Sequence, residues 1–188
     1  MAQRTTDKVK AQVEVERSMP QLRLPDSEST ADIIVTQALK FCAQKMRLAG
    51  HQAVVDHLRQ GDRNTCKYCH YSIAKQVAES LGALDRMIKA IYVVDYDATP
   101  QDICLGDKAQ PSLIHLIVWV ERKTKALKSL VSALDRALVQ RFAKVIGTHQ
   151  LAHLLDVQLV DDDDVENRVG YGAMLSSLYN RPIRVWER

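Results

Sequence analysis

The sequence lacks the compositional biases that mark fibrous, disordered or membrane-spanning chains. Its 188 residues include only 7 Gly and 5 Pro, too few for a collagen-like or low-complexity chain. Aromatic residues are scarce at 5%, and no uncharged apolar run approaches the length of a membrane-spanning helix, so we expect no membrane partner. The net charge of +3 does not by itself imply a nucleic-acid partner. With 46% hydrophobic and 26% charged residues, the composition is typical of a globular protein.

A targeting signal is also missing from the first residues. Met1–Lys8 lack the apolar core of a secretory signal peptide, and we therefore expect a cytoplasmic protein. The chain has 4 Cys, which in the cytoplasm are more often reduced thiols or metal ligands than disulfides.

Residues 1–28 are predicted to form a polar arm. Apolar and polar residues alternate from Val9 to Val15, and this period-2 pattern predicts a short strand. An isolated strand leaves its amides unpaired, so it would join a sheet edge of its own chain or of a second copy. This favours a homodimer, and a mobile arm is the alternative.

Residues 29–82 are predicted to form a segment of three helices. Ser29 and Asp32 have the spacing of a capping box. Apolar residues then recur at helical spacing, and one glycine is expected to end each helix: Gly50, Gly61 and Gly82.

Residues 83–188 show strand and helix patterns in the order β, β, α, β, α, β. They predict an α/β (α+β) domain with a mixed sheet of about four strands and helices mainly on one face. The run 113–120 is almost entirely apolar and predicts an interior strand, with His115 and Trp119 on the same face. The other predicted elements are strands 89–94, 154–160 and 183–186, a long helix that ends at Gly147, an acidic loop at 161–166 and a short helix near 173–179.

The stretch Asp85–Val94 reads Asp-Arg-Met-Ile-Lys-Ala-Ile-Tyr-Val-Val, where a helix end runs into a β-branched and aromatic strand. Together with the elements that follow, it resembles the nucleotidyltransferase fold of the polymerase-β-like superfamily, over residues 83–188. Members of that family carry a Gly-Ser turn after the first strand, an Asp-x-Asp pair on the second and one more carboxylate on the third. The resemblance implies that the second strand is Ser112–Val118, the third is Leu154–Val160, and the closing helix and strand are Leu175–Glu187.

The resemblance also implies a chemistry that this chain only partly retains. In active members the Gly-Ser turn binds nucleotide phosphates, and the three carboxylates hold two Mg²⁺ ions. Here Asp95 and Tyr96 stand in place of the Gly-Ser turn, and Leu113 and His115 stand in place of the Asp-x-Asp pair. Asp156 alone matches a catalytic carboxylate by position and type.

Two hypotheses follow from these departures. Because leucine offers a hard dication no oxygen ligand, the first is a catalytically degenerate nucleotidyltransferase, a pseudoenzyme that acts as a binding, regulatory or assembly partner. The alternative is an active metal-dependent nucleotidyltransferase with relocated carboxylates, since Asp95-Tyr96-Asp97 is itself an Asp-x-Asp at a strand end. Its catalytic residues would be Asp95, Asp97 and Asp156, with Mg²⁺ and a nucleotide as ligands.

The most distinctive local motif is Cys66-Lys67-Tyr68-Cys69-His70. It matches the letters of a c-type haem attachment site, but that chemistry requires export. The motif is interpreted as a pair of core cysteines, as a redox pair in the first turn of a helix capped by Asn64 or Thr65, or as half of a zinc site. Zinc needs two further ligands, and the candidates are Cys42, His51, His57 and His70.

The long predicted helix supports a third hypothesis, a nucleic-acid-binding module. Residues 121–144 carry two acidic residues and these basic ones: Arg122, Lys123, Lys125, Lys128, Arg136, Arg141 and Lys144. Such a face can bind a phosphate backbone, although few aromatic residues lie between the cations, which argues against single-stranded ligands. Alternatively, the acidic residues of 156–166 neutralise this face within the chain or across a dimer.

Overall fold

The helices and strands predicted from residue 29 onward are found in the predicted order, with one additional short helix in the acidic segment. A computed structural model of the protein describes residues 27–94, 114–147, 151–177 and 181–188. The helices are α1 (Ser27–Met46), α2 (His51–Arg59), α3 (Arg63–Leu84), α4 (Lys125–Ile146), α5 (Asp162–Glu166) and α6 (Gly172–Leu175). The strands are β1 (Ile88–Val93), β2 (Ile114–Val120), β3 (Leu155–Val160) and β4 (Ile183–Glu187). The predicted strand at Val9–Val15 lies outside the described residues, so it and the homodimer stay predictions.

The four strands form one mixed sheet in the order β3-β2-β1-β4. Strand β1 is antiparallel to β2 and β4, whereas β2 and β3 are parallel. The predicted α+β class with a mixed four-stranded sheet is thereby confirmed. The interior position of β2 is confirmed as well, since Leu116, Ile117 and Val118 are each 0% exposed and lie on both faces of the strand.

The main core lies between one face of the sheet and helices α1–α4. Helix α1 packs against α3 and α4, and α3 contacts β1, β2 and β4. The fully buried side chains of this core are apolar and come from α1, α3, α4 and the sheet: Ile34, Ile73, Leu81, Ile91, Leu116, Leu134 and Leu138. The periodic apolar residues of the helices therefore face the shared core, as the spacing predicts.

Helix α3 begins and ends at other residues than predicted. Asp62, not Asn64 or Thr65, is the N-cap, because its carboxylate accepts hydrogen bonds from Thr65 N at 2.7 Å and Thr65 Oγ1 at 2.6 Å. The helix then continues through Gly82, which was expected to end it. Gly82 lies against the ring of Trp186 on β4, so the glycine provides space for packing rather than a helix stop.

A buried carboxylate joins α4 to the start of β3. Asp135, 7% exposed, accepts hydrogen bonds from Leu154 N at 2.9 Å and Leu155 N at 2.8 Å. His153 Nδ1 lies 2.8 Å from its second oxygen. The helix ends as predicted at Gly147, which has φ +75° and caps α4 in the left-handed conformation.

The acidic segment predicted to be a loop is a short helix, α5. Asp161 caps it, accepting from Asp164 N, while the Asp164 side chain accepts from Asp161 N in return. This capping box places three carboxylates in the first turn, where the positive end of the helix dipole favours them. Within the described ranges, no helix combines the length and the apolar character needed to cross a bilayer.

Replacing Gly82 by alanine is expected to destabilise the protein. Alanine normally favours a helix over glycine by about 1 kcal/mol, but a methyl group here would overlap the Trp186 ring, and such overpacking costs about 1–3 kcal/mol. We therefore expect the free energy of unfolding, measured by urea denaturation, to fall in Gly82→Ala.

The same change in a Trp186→Leu background serves as the matched control. There the overlap is removed, and Gly82→Ala should be neutral or stabilising. A stabilising effect of Gly82→Ala in the wild-type background would contradict the packing described for α3.

Candidate functional site on the open face of the sheet

The face of the sheet that points away from α1–α4 carries the polar side chains. Every second residue of β2 points to this face, namely His115, Ile117 and Trp119, which confirms that His115 and Trp119 share a face. Asp156 and Gln158 lie beside them on β3. Helices α5 and α6 cover one end of the face through an apolar cluster formed with Val94, Ile117 and Val160; its further members are Val165, Tyr171, Met174 and Leu175. The polar pair remains partly exposed, with side-chain exposures of 31% for His115 and 29% for Asp156.

His115 and Asp156 form a hydrogen-bonded pair across two strands. They are direct neighbours in the parallel register of β2 and β3, and His115 Nδ1 lies 2.8 Å from Asp156 Oδ2. The other carboxylate oxygen accepts a hydrogen bond from Gln158 Nε2 at 2.7 Å. Both oxygens of Asp156 are thus engaged by neighbouring side chains. When Nδ1 carries the ring proton, His115 donates this hydrogen bond to Asp156.

Of the three predicted catalytic carboxylates, the structure describes Asp156. Asp95 and Asp97 lie outside the described residues, so their distance from Asp156 stays a prediction. Gln158 also belongs to this site, although it is not among the predicted site residues. The period-2 pattern of β3 would have indicated it, because this pattern places Gln158 on the same face as Asp156.

A second polar cluster fixes α5 to the same face. Lys89 Nζ lies 2.6 Å and 2.8 Å from the two oxygens of Asp162, and Trp119 Nε1 donates to Asp162 at 2.9 Å. The ammonium group also lies 5.6 Å from the centre of the Trp119 ring. The hydrogen bond from Lys89, and then that from Trp119, lower the pKa of Asp162.

Lys123 pairs with the capping box of α5. Its ammonium group contacts Asp164 and lies 3.5 Å from Asp161. The hydrogen bond between Lys123 and Asp164 is the main cause that raises the pKa of Lys123 and lowers the pKa of Asp164. The acidic segment therefore neutralises one cation of the predicted basic helix region, and this cation precedes α4.

The cysteine motif is divided between a disulfide and buried thiols. Cys66 is disulfide-bonded, which differs from the expectation of reduced thiols, whereas Cys42 and Cys69 are reduced and buried. A hydrogen bond with Cys69 lowers the pKa of the Cys42 thiol. The same hydrogen bond, together with burial, raises the pKa of Cys69 well above its usual range. Cys69 lies in the second turn of α3, one turn further from the helix end than the redox interpretation assumed.

The candidate zinc ligands are only partly brought together. Cys42 and Cys69 are in contact, whereas His57 lies beside Asp62, whose backbone N donates to the His57 carbonyl at 3.0 Å. His51 is exposed at the start of α2, and burial lowers the pKa of His70 to about 4. Across the described ranges, no group of three or more His, Cys, Asp or Glu side chains is placed to hold a metal ion. Zinc at Cys66 and Cys69 stays a prediction, and it requires the Cys66 disulfide to be reduced, because a disulfide sulfur offers no thiolate to the metal.

Comparisons with protein-family models, with curated proteins and with solved structures find no match to this chain. The resemblance to nucleotidyltransferases therefore depends on the sequence pattern of residues 83–188 alone.

Neutralising Asp162 is expected to loosen α5 from the sheet. Asp162→Asn removes the charge that binds Lys89, and Trp119 emission should change at neutral pH because its indole donates to the same side chain. In the wild type, the pKa of Asp162 is lowered in the folded state. Its contribution to the stability of the fold is therefore fully present above the ordinary pKa of 3.8, and it is lost as the pH falls through the lowered pKa of the folded protein. The midpoint of the acid transition in wild-type emission should therefore lie below pH 3.8.

Asp163→Asn is the matched control, since it removes the same charge from an exposed neighbour in the same helix turn. Its emission and its acid transition should follow the wild type. Equal spectra for Asp162→Asn and wild type at neutral pH would contradict the role given to the Lys89–Asp162–Trp119 cluster.

Proposed function

We propose that this chain is a catalytically degenerate, nucleotidyltransferase-like protein that acts by binding a partner in a regulatory or assembly role. The layout of the sheet supports this proposal. Strand β1 is followed by an antiparallel β2, and β2 by helix α4 and a parallel β3 that carries a carboxylate on the face away from the main helices. The resemblance implies the same order of strand, strand, helix and strand, and it assigns to Asp156 the position of the third catalytic carboxylate.

The observation that carries the proposal is the pair of His115 and Asp156. Two carboxylates at neighbouring register positions repel each other unless a cation lies between them, and this is how the metal site of an active member is held together. In this chain an imidazole occupies the first position and hydrogen-bonds to the second. With Gln158 on the other oxygen, Asp156 is satisfied by side chains of the protein.

The alternative hypothesis, an active nucleotidyltransferase, requires Asp156 to bind a metal ion. For Asp156 to bind Mg²⁺ with Asp95 and Asp97, its oxygens would have to exchange the hydrogen bonds from His115 and Gln158 for a metal ion. The two hypotheses therefore differ in whether Asp156 binds a metal and supports transfer.

A nucleotidyl-transfer assay tests the proposal directly. The full chain is incubated with each of the four labelled nucleoside triphosphates and Mg²⁺ or Mn²⁺, with protein, RNA and small-molecule acceptors. We expect no more label transfer than with Asp156→Asn, whose side chain keeps the shape of aspartate and lacks its charge. Metal-dependent transfer that is lost in Asp156→Asn would overturn the proposal and establish the active enzyme.

The variant His115→Asp is expected to acquire a divalent-cation site. It places two carboxylates side by side, so Mn²⁺ should stabilise the folded protein, by about 3–6 °C in Tm at a concentration about ten times the Kd. His115→Asn is the matched control, since it is neutral and should show no Mn²⁺-dependent change in thermal unfolding. Stabilisation of the wild type by Mn²⁺, lost in Asp156→Asn, would show that His115 does not prevent metal binding.

A further inference from the structure

The exposed side of α4 carries cations that have no acidic partner among the described residues. We propose that this surface binds the phosphate backbone of double-stranded nucleic acid. The proposal rests on the binding role argued above and names the class of partner. The surface, called the basic face from here on, consists of Arg122 just before α4 and of Lys125, Lys128, Arg136 and Lys144 on it, all exposed.

The cations of the basic face differ from the other cations of the region in that they are not ion-paired within the described ranges. Lys123 is neutralised by Asp161 and Asp164, and Arg141 lies 2.6 Å from Asp32 on α1. The five side chains of the basic face make no ion pair with any described residue. Sequence alone left open that the acidic segment neutralises the helix. In the structure, Asp162 of that segment binds Lys89 on β1.

No acidic side chain interrupts the basic face along the helix. Asp135 is the one acid between Lys125 and Ile146, and it is buried against the start of β3. At the far end of α4, Arg59 of α2 donates to the Ile146 carbonyl at 2.8 Å, but Asp56 lies 3.7 Å from the same guanidinium, so Arg59 is not counted in the basic face. The field along this side of α4 is thus of one sign, which attracts polyanions.

The spacing of the cations fits a long, regular polyanion. At 1.5 Å per residue, Lys125 and Lys144 are separated by about 29 Å along the helix axis, or about eight base pairs of a duplex. Ser129 and Gln140 are also exposed on α4 and can donate neutral hydrogen bonds to phosphate oxygens. These contacts carry no base information, so we expect binding that does not depend on sequence.

The composition of the face favours a duplex over the other anionic partners. It has no aromatic side chain, since Phe142 on α4 is buried, and single-stranded nucleic acid is bound largely by stacking on such rings. It also lacks the apolar anchors that dominate protein interfaces. The large hydrophobic side chains exposed in the described residues all lie elsewhere: Ile33, Tyr68, Tyr71, Val169 and Ile183.

Fluorescence anisotropy with labelled duplexes tests the proposal. Duplex DNA and duplex RNA of about 20 base pairs, longer than the face, are titrated with the full chain at several NaCl concentrations. We expect log Kd to rise with log[NaCl] with a slope of up to about 4.5, that is about 0.9 for each of five phosphates contacted. Comparing the Kd for duplex DNA with the Kd for duplex RNA shows which of the two phosphate backbones the protein prefers.

Two double variants locate the site. Lys125→Ala/Lys128→Ala and Arg136→Ala/Lys144→Ala should each weaken binding on every duplex sequence and reduce the salt slope by about 2. The control Arg63→Ala/Lys75→Ala on α3 removes the same charge from a different helix and should bind like the wild type. All six positions are exposed, and circular dichroism confirms that each variant is folded.

Three results would overturn the inference. These are no binding to either duplex at low salt, equal weakening in the α3 control, and tighter binding to single strands or to polyglutamate than to a duplex. The transfer assay keeps this outcome separate from the proposed function. If the protein transfers no nucleotide and binds no duplex, the basic-face inference alone is refuted. If it transfers nucleotides, the proposed function as a catalytically degenerate protein is refuted.

Discussion

The buried carboxylate of Asp135 is the interaction on which the arrangement of the sheet edge depends. A buried charge is costly unless it is hydrogen-bonded, and the donors that satisfy this one are the backbone amides of Leu154 and Leu155, where β3 begins. Helix α4 is thereby joined to the start of β3, and β3 lies beside β2 with His115 opposite Asp156. Because side chains alternate along a strand, a shift of one residue would turn Asp156 toward the helices and remove the pair from the open face.

Helix α4 therefore links the two surfaces considered for function. Its inner side packs against the core and carries Asp135, which positions the strand that presents Asp156. Its outer side carries the basic face. A ligand that binds the outer side contacts a helix joined directly to the start of β3. On the open face, both carboxylate oxygens of Asp156 are hydrogen-bonded within the protein, to His115 and Gln158.

The acidic segment illustrates how charge is used inside this chain. Its carboxylates contact Lys89 and Lys123, and these ion pairs hold α5 against the open face. Helix α5 in turn covers part of the apolar cluster on that face. Because these carboxylates pair with Lys89 and Lys123, they make no ion pair with the cations of the basic face among the described residues. A small net charge of the whole chain is thus compatible with a strongly basic local surface.

Periodicity and local capping determined much of the fold from sequence: the interior strand β2, the end of α4 at Gly147 and the shared face of Asp156 and Gln158. These features depend on residues a few positions apart, so the sequence carries them directly. The capping box that turns 161–166 into α5 was also local, and its Asp161–Asp164 spacing is visible in the sequence. Tertiary structure alone decided the rest. Gly82 continues a helix because Trp186 packs on it, Lys89 pairs with Asp162 73 residues away, and Asp135 caps a strand rather than facing solvent. Such contacts depend on how strands pair and helices pack, which no local pattern specifies.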